Sequence, residues 1–305
     1  MLHNDKDLFE QIILRASDSM GIEESIVEKD YFVTLFLKKI VSKEPDIIFK
    51  GGTSLSKCYK LIKRFSEDID LSIECKNKPT EGQRKHLKSN IVSVIDEFDF
   101  DLTNADSIKS RRDYNRYVID YPSVFDSDYL KQQLIVETAV FIRSYPSKVM
   151  TTTSFIYEYL YDNGYHDIIE QYDLGPFELN VQMAERTFID KVYALCDYYL
   201  NNDVVEHSRH LYDIYKLLGI VKINNELRQL ALEVREDRKK HKTCLSAQDG
   251  VDINSLLQEI MDKDIYKSDY ESITSSLLFE KTDYQTAVRA LQIIIESKLF
   301  QYSLY

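Results

Sequence analysis

This sequence predicts an α/β fold: a small mixed sheet flanked by helices in the N-terminal half, followed by a helical C-terminal lobe. Three observations support it. Only 8 Gly and 5 Pro among 305 residues favour long regular elements over flexible linkers. Apolar residues recur at helical spacing through most of the chain, as in 24–41, where Ile26, Tyr31, Val33, Leu35, Phe36, Leu37 and Ile40 cover one broad side. Between Asp99 and Lys148 the period shifts towards two. The expected division is a core with N-terminal helices over 1–150 and a mainly helical lobe over 151–305.

In order, 7–20 and 24–41 are two amphipathic helices separated by Gly21, a helix stop. A short buried strand over 46–49 leads into a turn, Gly51-Gly52-Thr53-Ser54, with a helix from Leu55. In Asp68-Ile69-Asp70-Leu71-Ser72-Ile73 alternation puts Asp68 and Asp70 on one face of an extended strand, while Ile69, Leu71 and Ile73 point into a core. Pro79 breaks the chain before a helix over 80–98. Residues 114–121 and 132–141 are strands, rich in β-branched and aromatic side chains. On the second, Glu137 sits among apolar neighbours, and a carboxylate in such a place needs a partner: an arginine such as Arg143, water at the sheet end, or a metal. Beyond Met150 come short helices at 155–161 and 167–172 and a strand at 177–181. Helices follow at 185–200, 206–218, 225–240, 254–261 and 283–299.

The chemistry is concentrated between Lys50 and Ile73. A Gly-Gly dipeptide alone marks a turn, and an Asp-x-Asp pair alone is a solvated strand face. In the order strand, Gly turn, helix, Asp-x-Asp strand, they specify much more. Backbone amides at a helix start, with two hydroxyls beside them, form a phosphate cradle, and glycine allows close backbone approach. Two carboxylates on one strand face suit Mg²⁺, which takes a few carboxylates plus water and substrate phosphates. Later in the chain, Lys191 lies beside the face made by Phe188, Val192 and Leu195, so its stem packs while its ammonium reaches a cleft. Arg209 and Asp213 stand one helical turn apart, close enough to pair with each other.

Composition excludes several classes. No stretch approaches 18 uninterrupted apolar residues, and Met1-Leu2-His3-Asn4-Asp5-Lys6-Asp7 lacks the signal-peptide pattern, so the expectation is a soluble, cytoplasmic protein with no membrane partner. Cys58, Cys75, Cys196 and Cys244 show no Cys-x-x-Cys spacing and are expected to be thiols, not zinc ligands. A net charge of −12 and a pI near 5.1 argue against broad DNA binding. Local basic groups remain: Lys57, Lys60, Lys63 and Arg64 beside the Gly turn, favoured by position; Lys109, Arg111, Arg112 and Arg116; and the run Arg238-Lys239-Lys240-His241-Lys242.

Gly-Gly-Thr/Ser followed after a short helix by Asp-x-Asp resembles motif I of the DNA polymerase β-like nucleotidyltransferase superfamily. The fuller string Glu28-Lys29-Asp30-Tyr31-Phe32, Phe49-Lys50-Gly51-Gly52-Thr53-Ser54-Leu55-Ser56-Lys57 and Arg64-Phe65-Ser66-Glu67-Asp68-Ile69-Asp70-Leu71 is similar to the AbiEii/AbiGii toxin family. The likeness is dense over 28–73, returns over 185–218 and is loose after Gly219. It implies a polymerase β-like core, a toxin of a bacterial toxin–antitoxin or phage-defence operon with its antitoxin encoded nearby, and RNA as acceptor, the 3′ end of tRNA being the guess. It also implies a third metal carboxylate on a later strand, the place of Glu137. Lys191 and Asp213 match the family's lysine-bearing helix and its later Arg-x-x-x-Asp helix, while His210 stands where an acidic residue is expected.

The reaction so predicted moves NMP from an NTP to an acceptor hydroxyl. Asp68, Asp70 and Glu137 hold Mg²⁺, or Mn²⁺ in its place. Gly52, Thr53, Ser54, Lys57, Arg64 and Lys191 bind the nucleotide, and Asp68, Asp70, Glu137, Lys191 and Asp213 form the catalytic set. Two alternatives stay open: a kinase-like toxin that moves the terminal phosphoryl group, and a non-catalytic module that binds RNA or protein.

Overall fold

The computed structural model describes residues 1–64, 66, 68–74, 79–127 and 130–301. Cys75, together with Phe65 and Glu67 of the motif string, lies outside the described residues. Contacts divide the chain into two units, neither of them one continuous stretch: Met1–Cys58 with Ser66–Val181, and Tyr59–Phe65 with Gln182–Tyr305.

The first unit opens with α1 (Lys6–Met20), capped by the Asp5 carboxylate and ended by Gly21 in left-handed backbone, and α2 (Glu24–Lys43). Strand β1 (Ile47–Lys50), helix α3 (Gly51–Lys57) and strand β2 (Asp68–Ile73) carry the motif. Helix α4 (Glu81–Glu97) starts in a reciprocal Thr80–Gln83 capping box. Strands β3 (Asp101–Leu102), β4 (Tyr114–Asp120), β5 (Gln133–Ala139) and β6 (Ser147–Thr152) follow, then α5 (Phe155–Asp162), α6 (His166–Gln171) and β7 (Phe177–Gln182). All seven strands join one mixed sheet in the order β3-β4-β5-β2-β1-β7-β6. β2 runs antiparallel to β1 and parallel to β5, and β4 runs antiparallel to β5.

The register gives the sheet two unlike faces. Phe49, Ile69, Leu71, Leu134, Val136, Tyr117 and Ile119 alternate onto a buried face. Residues one position away face the other side, where Lys50, Asp70, Glu137 and Arg116 are register partners in a row across β1, β2, β5 and β4. Around α2 an aromatic core forms: Phe32 stacks on Tyr121 with ring centroids 4.3 Å apart, and Phe9, Tyr31 and Phe100 close round it. Large rings supply much apolar area here, and their edge-to-face contacts add specificity.

The second unit is helical: α7 (Ala184–Leu200), α8 (Arg209–Leu218), α9 (Asn225–Lys239), α10 (Ile253–Asp262), α11 (Lys267–Ser272) and α12 (Tyr284–Ser297). α8 packs against both α7 and α12. Two of its buried tyrosines tie the hydroxyl to backbone: Tyr266 donates to the Leu195 carbonyl, and Tyr212 accepts from the Lys63 amide at 3.0 Å. The stretch 59–64 is bound here, since Lys63 also accepts from the Phe279 amide and Arg64 bridges Leu278. A second buried network lies at the α7–α9 contact, where Asp197 takes Arg238 at 2.7 Å and both the amide and hydroxyl of Ser246.

Most expected elements are found within two or three residues, and the departures have physical causes. The helix expected from Leu55 begins at Gly51, so the Gly-Gly-Thr-Ser turn is itself the first helical turn. α8 begins at Arg209 and not at 206, because Glu206 is in left-handed backbone and the amides of Glu206 and Ser208 are taken by the Asp269 carboxylate. α12 stops at Ser297 because Lys298 is left-handed. β6 was not expected: its polar, half-exposed sequence Ser-Lys-Val-Met-Thr-Thr lacks apolar alternation, as suits an edge strand. Cys58, Cys196 and Cys244 are buried thiols. No helix among the described residues is long and apolar enough to cross a membrane.

Candidate active site

Gly51 follows β1 directly and begins α3 with φ +74, a conformation that glycine adopts without strain. A Cβ there would lie 1.9 Å from Oδ2 of Asp70, so the Asp70 carboxylate occupies the space a side chain at 51 would need. Register explains the contact: Lys50 pairs with Asp70 across β1 and β2, so the strand ends just where the carboxylate leans over. The two halves of the motif are thus fitted to one another atom by atom.

The hydroxyls of the same turn are used internally. Thr53 is buried, and its Oγ1 donates to the Asp68 carbonyl at 2.6 Å; Ser54 is buried and donates to the Gly51 carbonyl at 2.9 Å. Thr53 therefore ties α3 to the first residue of β2 and fixes where Asp68 begins. The Lys57 ammonium is also buried, 2.5 Å from Oδ1 of Asp30, while Oδ2 of Asp30 accepts from the Phe155 amide. Its neighbours on α2 make similar ties: Glu28 accepts from the Ser123 hydroxyl and the Val124 amide, and Lys29 donates to the Lys131 carbonyl. The Glu28-Lys29-Asp30 string thus braces α3, α5 and the β4–β5 connection from one helix.

Glu137 lies on the same face as Asp68 and Asp70, beside Asp70 in the parallel β2–β5 register. Its partner is Arg116 on β4, 3.4 Å away, and not Arg143. Burial pushes the Glu137 carboxyl above the ordinary glutamate range and the negative charge of Asp68 adds to this; a hydrogen bond from Tyr114 and the charges of Arg116 and Lys50 oppose it. Tyr114 and Arg116 were not singled out for this site. The period-two pattern of β4 could have found them, because both project to its exposed side, opposite Tyr117 and Ile119.

In the second unit, Asp213 on α8 is fully buried and accepts from both Nε and Nη2 of Arg64 at 2.7 Å, a two-pronged charge-assisted pairing. Lys191 on α7 places Nζ 2.6 Å from the same carboxylate. Asp213 thus pairs with Arg64 and Lys191 and not with Arg209, the neighbour that helical spacing suggested. Burial would raise the Asp213 carboxyl, but the two cations overcome it and hold Asp213 well below the usual aspartate range. Burial pulls Lys191 below the ordinary lysine range, with Asp213 opposing. Next to them His210 is held neutral by burial, in a stack with Tyr198 and His207 whose first pair has ring centroids 3.4 Å apart.

The predicted residues therefore form two groups. Asp68, Asp70 and Glu137 share a face of the sheet beside the Gly51–Ser54 turn, and Arg64, Lys191 and Asp213 form one buried ion cluster. Among the described residues no three His, Cys, Asp or Glu side chains are gathered closely enough to hold a metal by themselves. The donor chemistry nonetheless fits a hard cation: carboxylate oxygens share one face, and burial, with the charge of Asp68 adding to it, raises the Glu137 carboxyl. Such a set suits an ion that takes its remaining ligands from water and phosphate.

Residues 35–292 match the family described as nucleotidyl transferase AbiEii toxin, type IV TA system. Among solved structures the chain is similar to MenT4, a nucleotidyltransferase toxin from Mycobacterium tuberculosis H37Rv. The TM-score is 0.53 at 16% identity, over 96% of this chain and 90% of that one. At that identity the likeness concerns the fold. No curated protein sequence matches.

Proposed function

We propose, for a chain that belongs to the AbiEii nucleotidyltransferase toxin family of type IV toxin–antitoxin systems, that the reaction transfers NMP from an NTP to a hydroxyl of RNA with release of pyrophosphate, with Mg²⁺ as the ion. The observation that supports this most directly is the Asp70 carboxylate lying in the space over Gly51. It sets an anionic ligand against the backbone turn that approaches phosphate in this reading.

Asp68 and Asp70 would hold the metal, with Glu137 beside them. Bound Mg²⁺ supplies Lewis-acid polarisation of the reacting phosphate. Glu137 takes the proton of the acceptor hydroxyl, a role that a carboxyl raised above its ordinary range fills better near neutrality. Tyr114 and Arg116 orient it from the β4 side. Lys191, the phosphate lysine that the sequence suggests, is buried with its ammonium on Asp213, which keeps it charged. Gly52 lets the turn approach phosphate, while Thr53 and Ser54 shape it from within. Lys57 and Arg64, assigned to the nucleotide by sequence, instead brace α3 and α8 through their pairings with Asp30 and Asp213.

The test is incubation with Mg²⁺, total RNA and each NTP labelled in turn at the α and γ positions. Label from the α position on RNA is the expected result; label from the γ position means phosphoryl transfer instead, and no label on RNA sinks the reading. Glu137 gives a pH test. kcat/KM should decline as pH is lowered through the Glu137 pKa, which lies above its ordinary 4.5. Glu137→Gln should cost roughly 10²- to 10⁴-fold and abolish that acid limb. A limb unchanged in Glu137→Gln assigns the proton elsewhere.

A further inference from the structure

We propose that the loop 109–112, the first turns of α4 and Arg116 form a seat for the phosphodiester backbone of a single-stranded RNA acceptor, leading onto the Asp70–Glu137 row. This rests on the RNA reading above. The three basic groups in the sequence differ in what neutralises them. In the first, Lys57 is buried against Asp30 and Arg64 against Asp213, while Lys60 and Lys63 are exposed. In the third, Arg238 is paired with Asp197, Lys239 with Asp249 and Lys240 with Asp237.

The second group is exposed. Lys109, Arg111, Arg112 and Arg116 all lie on the surface, as does Lys85 on α4. Among the described residues no carboxylate pairs with Lys85, Lys88, Lys109 or Arg112. Lys88, Lys109 and Arg112 instead donate to the carbonyls of Ile108, Asp106 and Ser107, which satisfies donors and leaves the charge uncompensated. Segments 80–90 and 105–116 together hold seven Lys and Arg against three Asp and Glu, on a chain whose net charge is −12. Counter-charged ties hold the segments together: Arg84 to Asp113 at 2.9 Å and Arg111 to Glu81 at 2.7 Å.

Position completes the case. β4 begins two residues after Arg112, and Arg116 on it touches Glu137, so the strip ends at the carboxylate proposed to take the acceptor's proton. An extended polyanion lying along the strip would bring its terminal hydroxyl to Glu137. The strip lies on other segments than the Gly51–Ser54 turn that this reading gives to the NTP, which is why it suits the acceptor.

The experiment measures binding of a 5′-fluorescein single-stranded RNA by anisotropy, in an Asp70→Asn background that cannot turn over. Each phosphate contact contributes about 0.7 to the slope of log affinity against log salt, so Lys109→Glu/Arg112→Glu should lower that slope by about 1.4 and the affinity roughly tenfold at about 0.15 M salt. Lys242→Glu, an exposed reversal in the third basic group, should leave binding unchanged. In the active chain the same double variant should raise KM for RNA by a similar factor and leave KM for NTP alone. Unchanged RNA affinity, an equal loss in Lys242→Glu, or a parent that binds no RNA each overturns the seat. If the parent transfers label to RNA while the double variant keeps its KM, the seat falls and the transferase reading stands. If the parent transfers none, that reading falls and the binding arm alone judges the seat.

Discussion

Asp70→Asn is expected to abolish nucleotidyl transfer while leaving the protein folded. Losing even a residue that orients a metal ligand typically costs 10- to 100-fold, so losing a ligand itself should cost roughly 10³-fold or more. The substitution keeps the shape over Gly51 and should change stability by no more than about 1 kcal/mol, as is usual for partly exposed sites. Gly51→Ala tests the same contact from its other side. Alanine would be strained at φ +74, and its Cβ would need the space that Asp70 Oδ2 fills. Gly51→Ala should therefore imitate Asp70→Asn in activity and add a stability loss of roughly 1–3 kcal/mol. Steady-state transfer and urea denaturation on both variants are the measurements. Activity retained in Asp70→Asn, or an unimpaired Gly51→Ala, would sink the assignment.

Asp213→Asn should produce the largest loss of stability. It leaves Arg64 and Lys191, both nearly inaccessible, without their shared anion. Removing one partner from a buried ion cluster costs about 3–5 kcal/mol because the remaining charge is stranded. Asp213→Asn/Lys191→Met should recover part of that, since one stranded cation is removed with the anion. The pH dependence has a definite sign. Because Asp213 is held below its ordinary range, its contribution is complete above that range and fades as pH falls towards the folded-state value. The gap between parent and Asp213→Asn should thus narrow in acid. A loss under about 1 kcal/mol at neutral pH, or a gap that widens in acid, would contradict the ion cluster.

The legible part of the site was the local part. Asp68 and Asp70 share a face because strand alternation demands it, and Gly51-Gly52 marks the place where a strand passes directly into a helix, of which it forms the first turn. Glu137 was noticed as an acid among apolar residues, but its partner was not: Arg116 is 21 positions away and reaches it through antiparallel register, which no spacing rule shows. The same holds for Asp213. Helical spacing offered Arg209, and the fold supplied Arg64 and Lys191. Thr53 and Ser54 looked like phosphate hydroxyls because their type and place fit, yet carbonyl groups within hydrogen-bonding reach take their protons. Pattern reveals which groups exist on a face; pairing among distant charges is decided by packing.

Arg64 and Asp213 are separated by 149 positions. On a ribosome, at roughly 5–20 residues per second, Arg64 would wait on the order of ten seconds or more for its counter-ion to be made. Lys191, made earlier than Asp213, would wait as well. The stretch 59–64 cannot settle until α8 and the segment around Phe279 exist, so the second unit closes only late in synthesis. A toxin built this way cannot assemble its basic cluster before residue 213 has been made, and a prematurely terminated fragment lacking α8 would lack the Arg64–Asp213–Lys191 cluster whatever the state of its sheet.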